Sequence, residues 1–111
     1  MTRPAQFQRV FRGASRYGNR YFTVLAKPND AGVTRLGLAV SKRVSAKAVA
    51  RNRIKRLVRE SFRTQARSLT PQDFVVIAKP AAAKASNQQL TDALRREWQR
   101  IQASLAESSE R

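Results

Sequence analysis

The sequence holds 111 residues, 41% of them apolar, which suits one small domain with a single hydrophobic core. Twenty-three Lys and Arg face seven Asp and Glu, for a net charge of +16, and self-repulsion on that scale favours a polyanionic partner, nucleic acid before a membrane surface. There is no Cys and no His, which excludes disulfides, thiolate chemistry and imidazole general bases, while the acids are too scattered for a two-metal nuclease site.

No apolar run approaches the ~18 residues of a membrane span, and no signal-peptide pattern opens the sequence, so the expectation is a soluble cytoplasmic protein. Residues 1–111 read as one domain, with about 106–111 as a frayed polar tail.

Residues 4–12 read as a short helix, with Pro4 in its first turn and Gly13 as its stop. Phe7, Val10 and Phe11 fall on one face of it. Aromatic and β-branched content predicts a strand over 21–26. A turn follows at 28–32 and a pairing strand at 35–41. In that second strand Leu36, Leu38 and Val40 share one face, and Gly37, Ala39 and Ser41 the other.

The strongest helix runs from about 46 to 69 and breaks at 70–72. A strand over 73–79 is apolar on both faces through Phe74, Val75, Val76 and Ile77, which predicts burial on both sides. Pro80 ends it, and the Ala-rich stretch 81–85 reads as a loop. The last helix opens with a capping box, Ser86 with Gln89. Leu90, Leu94, Trp98, Ile101 and Leu105 make its apolar stripe, where Trp98 reads as core rather than as a base-stacking platform.

Ten of the 23 basic residues lie between Lys42 and Arg67, where Glu60 alone opposes them. At ~100° per residue, Ile54, Leu57, Val58, Ser61, Gln65 and Ser68 gather on one side of that helix, with Phe62 and Leu69 at its edge. Asn52, Arg56, Arg59, Arg63 and Arg67 gather on the other, flanked by Arg53 and Lys55. Val49 and Arg51 fit neither side, Val49 falling among the cations and Arg51 toward the apolar edge. Solvated charged faces usually alternate signs, because opposite charges at i, i+4 stabilise a helix. Here Lys55, Arg59, Arg63 and Arg67 follow one another at i+4 with no acid in the series. The preference for Arg, whose planar fork binds phosphate bidentately, marks a phosphate-reading surface.

The block Arg51-Asn52-Arg53-Ile54-Lys55-Arg56, extended through Leu57-Val58-Arg59-Glu60-Ser61-Phe62-Arg63, resembles the signature of the bacterial ribonuclease P protein subunit. Leu36-Gly37-Leu38-Ala39-Val40-Ser41-Lys42-Arg43 is similar to that family's central strand and its basic exit. Phe7-Gln8-Arg9-Val10-Phe11 with Gly13 resembles its first helix, and 73–79 its later strand. Many members carry a Gly before the basic helix, where this chain has Ser45-Ala46-Lys47.

The resemblance implies an α+β fold, an α/β sandwich in the order α-β-β-α-β-α, like a ribosomal-protein domain and with a left-handed β-α-β crossover. It implies that an RNA subunit removes the 5′ leader of precursor tRNA, using Mg²⁺ bound mainly by that RNA. The protein then has no catalytic or metal-ligating residue of its own. Lys42, Arg43, Arg51, Asn52, Arg53, Lys55, Arg56, Arg59 and Arg63 are the candidate contacts to the catalytic RNA. Phe7, Arg9, Phe11, Arg12 and, more weakly, Tyr21 and Phe22 are candidates for the leader, with core packing the alternative for the aromatics. Competing readings are a ribosomal or other structural RNA binder, a helix in a DNA major groove, and an independent nuclease.

Overall fold

The computed structural model describes residues 15–29, 32–66 and 72–109, with side chains to residue 104. The expected first helix, with Phe7, Arg9, Phe11 and Arg12, lies outside these residues, as do Arg67, Ser68 and Leu69. Four strands form one layer: β1 (Ser15–Gly18), β2 (Phe22–Pro28), β3 (Arg35–Ala39) and β4 (Gln72–Ala78). Two helices, α1 (Ala48–Gln65) and α2 (Asn87–Ser109), form the other.

The spatial order of the strands is β1-β2-β4-β3. The expected pairing of 21–26 with 35–41 does not occur, because β4 lies between them, antiparallel to β2 and parallel to β3. The reason is burial. Phe74 and Val76 are fully buried on one face of β4, and Val75 is fully buried on the other. A strand apolar on both sides belongs at the centre of a sheet, where neighbours cover it. α1 therefore crosses between the adjacent parallel strands β3 and β4.

Two further features depart from the sequence reading. β1 was not predicted, so three strands precede α1 where the family order implies two; its exposed Ser15 and Arg16 carry no strand pattern. The Ala-rich stretch forms a 3₁₀ turn, Pro80–Lys84, with Ala82 and, just after it, Ala85 buried. Pro80 presets the φ of its first residue. The last helix is assigned as far as Ser109, with neither Gly nor Pro to interrupt 104–109.

Both helices cover one face of the sheet. Phe22, Val24, Ala26, Phe74, Val76 and Ala78 meet Ile54, Val58, Leu90, Leu94, Trp98 and Ile101 in one core. Phe62, Phe74 and Trp98 pack edge-to-face, with ring centroids 5.4 to 6.4 Å apart, an arrangement the aromatic quadrupole favours. Trp98 donates its indole N–H to Ser61 Oγ at 2.8 Å, which satisfies the one polar atom of a buried ring. Leu36, Leu38 and Val40 join this core, while Leu25, Ala39 and Ile77 surround Val75 on the opposite face.

Candidate nucleic-acid interface

α1 starts later and ends earlier than its sequence suggests. Lys47 is the N-cap, with no side-chain cap bond, and the N–H of Ala66 closes the last turn on Phe62 O. The apolar side is as expected: Ile54, Val58 and Ser61 are buried, and Leu57 and Phe62 pack on the core.

The two misfits of the first turn have separate explanations. Val49 is 82% exposed, so it stands among the cations without a core partner. Arg51 reaches back along the chain and donates Nη1 to the carbonyls of Ser45 and Ala46, at 2.9 and 3.0 Å. It thus holds the segment Ser45-Ala46-Lys47 that leads into α1.

The nine candidate contacts to the catalytic RNA divide by what they already touch. Arg53 donates Nη1 to Asn87 Oδ1 and Nη2 to the carbonyl of Ala85, tying α1 to the start of α2. Arg63 is bonded to Glu60, which raises the guanidinium pKa and holds the carboxyl below its ordinary value. Lys42, Arg43, Asn52, Arg56 and Arg59 are exposed, and Lys55 is half-buried. No hydrogen bond or ion pair engages these six side chains among the described residues.

Asn52, Arg56, Arg59, Glu60 and Arg63 line a depression of about 360 Å³ along the outer side of α1. Asn52 and Arg56 also line a second, of similar volume, between α1 and Asn87, which Val49 and Leu57 floor. Unneutralised guanidiniums on a helix face, with concavities between them, can bind successive phosphates of a polyanion. Among the described residues no group of three or more His, Cys, Asp or Glu side chains gathers to hold a metal ion.

Of the leader candidates, Phe22 and Tyr21 fall among the described residues: Phe22 is fully buried in the core, which removes it from the leader, and Tyr21 alone stays accessible. It sits half-buried against the helical-side core and lines a cleft beside α2. Arg20, Arg96, Glu97 and Arg100 line the same cleft. Sequence reasoning missed this group, whose one local signal was the i, i+4 pair Arg96 and Arg100.

A family model described as ribonuclease P matches residues 1–102. The chain belongs to the ribonuclease P protein family. It is 46% identical over 98 residues to the ribonuclease P protein component of Photobacterium profundum, covering 88% of this chain and 83% of that one. With the Thioalkalivibrio sulfidiphilus component it shares 44% over 101 residues, covering 91% and 84%. The structure superposes on the Staphylococcus aureus ribonuclease P protein with a TM-score of 0.74 at 30% identity, covering 96% and 93% of the two chains. The Thermotoga maritima protein, in complex with 1-(4-fluorophenyl)-2-thiourea, gives 0.75 at 29% identity, covering 86% and 92%. Ribonuclease P is an endoribonuclease that processes precursor tRNA, and proteins of this family are its accessory protein subunit. Membership thus implies partnership with the ribonuclease P RNA and a tRNA substrate. No helix among the described residues is long and apolar enough to cross a membrane.

Proposed function

We infer that the outer face of α1 and its basic entry bind phosphates of the catalytic RNA of ribonuclease P, while that RNA performs the cleavage. The observation that supports this most is the pair Arg56 and Arg59, exposed one turn apart and without an acidic partner among the described residues. Lys42, Arg43, Asn52 and Lys55 extend the same surface. Arg51 and Arg53 act through the fold, by fixing the entry loop and the α1–α2 angle on which that surface depends. Arg63 contributes beside Glu60, whose charge it partly cancels.

Phe7, Arg9, Phe11 and Arg12 are proposed to hold the 5′ leader of the precursor by stacking and charge, the mode by which unpaired RNA is commonly bound. Tyr21 stands on the helical side of the sheet, beside the cleft that Arg20 and Arg96 line. Mg²⁺ belongs to the RNA subunit in this reading, and the protein acts by positioning the scissile region and screening repulsion between two RNAs. The setting is the cytoplasm, where transcripts are processed.

The test is a salt titration. Each phosphate contact contributes ~0.7–0.9 to the log–log slope of RNA affinity against salt. R56A/R59A should lower both the affinity for catalytic RNA and that slope, by about 1.4 to 1.8 if each Arg holds one phosphate. An unchanged slope refutes the assignment of this face.

A further inference from the structure

A second cationic site lies on the flank of α2 turned away from α1. Trp98 faces α1 through its bond to Ser61, whereas its neighbour Glu97 faces Asn19 in the turn between β1 and β2. A cleft of about 420 Å³ opens there, within the ~300–1,000 Å³ typical of small-ligand sites. Arg20, Arg96 and Arg100 surround it, and Tyr21 and Ala93 supply an apolar wall.

The charge in this cleft is not cancelled. Glu97 is the acid lining it, 2% exposed, and both its oxygens are occupied: Oε2 by Asn19 Nδ2 at 2.6 Å and Oε1 by Arg100 Nη1 at 3.0 Å. Asn19 is committed as well, accepting the backbone N–H groups of Tyr21 and Phe22 on Oδ1. The turn is held further by Lys79, whose Nζ donates to Asn19 O at 2.6 Å. Arg20 and Arg96 are exposed and make no hydrogen bond or ion pair among the described residues. Arg100 is aimed by Glu97 and lies over the Tyr17 ring, 6.0 Å from its centroid. The walls are fixed, and two guanidiniums are unclaimed.

We propose that this cleft is a second RNA contact, which takes one unpaired nucleotide with its phosphate between Arg20 and Arg96 and its sugar and base against Tyr21 and Ala93. Guanidinium forks match phosphate oxygens, and an aromatic wall accepts any base face. The proposal rests on the ribonuclease P reading, in which the macromolecules meeting this chain are RNAs. With α1 on one flank of α2 and this cleft on the other, a single small domain bridges two RNA segments.

The experiment compares R20A/R96A with R56A/R59A in the reconstituted holoenzyme, the melting temperature of each protein being recorded first. One arm measures binding of the protein to catalytic RNA across a salt series, and the other binding of precursor tRNA to the holoenzyme. In one of these arms R20A/R96A is expected to lose roughly three- to tenfold in affinity and ~0.7 in salt slope, at an unchanged melting temperature. The first arm would identify the catalytic RNA as the occupant, the second the precursor. R20K/R96K keeps the charge without the fork and should recover less than half of the loss. Full recovery would reduce the cleft to a general cationic surface and overturn the nucleotide site. Wild-type behaviour of R20A/R96A in both arms, with R56A/R59A impaired, overturns the cleft alone. If R56A/R59A is unimpaired too, the α1 reading falls with it.

Discussion

Arg35 and Asp73 are register partners on the parallel strands β3 and β4, and their side chains meet through two bonds, Nε to Oδ1 at 2.7 Å and Nη2 to Oδ2 at 2.8 Å. Asn29, at the end of β2, adds a third bond to Asp73 Oδ1 at 2.8 Å. The hydrogen bond from Arg35 is the largest cause holding the Asp73 carboxyl below its ordinary range. A carboxyl depressed in the folded state stabilises the fold at pH values above its unfolded pKa, and the stabilisation disappears as pH falls through the folded value. Unfolding midpoints of the wild type should therefore decline more steeply than those of D73N as pH falls below the ordinary aspartate range, about 4. Parallel curves for the two proteins would show that the pair does not set acid stability.

The bond from Trp98 to Ser61 links α2 to α1 inside the core. Ser61→Ala leaves the indole N–H buried without a partner, at a cost of ~1–3 kcal/mol. Urea denaturation should show that loss with an unchanged m-value. A loss near zero would mean that the indole finds another acceptor.

Arg53 and Arg56 are neighbours in the same basic block with different roles. Arg53→Ala removes two bonds to the start of α2 and should lower stability by ~1–2 kcal/mol. Arg56→Ala removes no bond among the described residues and should leave stability within ~0.5 kcal/mol while weakening RNA binding. Thermal melts paired with RNA titrations separate the two. Equal melting temperatures would deny Arg53 its structural part.

Asn19 joins the β1–β2 turn to α2 through two bonds from Nδ2, to the carbonyl of Ala93 and the carboxylate of Glu97, and its Oδ1 accepts the N–H groups of Tyr21 and Phe22 within the turn. Asn19→Ala leaves Glu97 buried without one of its donors and should cost ~2 kcal/mol or more. Hydrogen exchange should speed up first at the β1–β2 turn and in the middle of α2. Protection equal to that of the wild type at those amides would contradict this account of Asn19.

The central layout was readable because periodicity is local. The alternation of β3, the two-sided apolarity of β4, the stripe of α2 from Leu90 to Ile101 (the side chain of Leu105 lies outside those described) and its Ser86–Gln89 capping box appear in the structure where the sequence places them. Strand β1 was not readable, since Tyr17 is its only residue with a half-buried side chain and three exposed neighbours hide it. The order of the sheet was misread because turn chemistry at 28–32, with Gly32 at φ 78°, suggests a hairpin as readily as a longer connection. In the basic helix the sequence marked the right block but not the division of labour within it. Arg53 finds its acceptors 32 and 34 residues away, and Arg51 bonds backbone carbonyls that leave no mark in a sequence. The Asn19–Glu97 contact spans 78 residues, which is why the cleft beside α2 stayed hidden.

The most direct test of the whole account is a Mg²⁺ titration of precursor tRNA cleavage by the catalytic RNA, run with the chain, without it, and with the chain alone. The RNA should cleave at lower Mg²⁺ when the chain is present, R56A/R59A should lose most of that benefit, and the chain alone should cleave nothing. Cleavage by the isolated chain, or a Mg²⁺ requirement that the chain leaves unmoved, would contradict a protein that grips RNA and lets RNA do the chemistry.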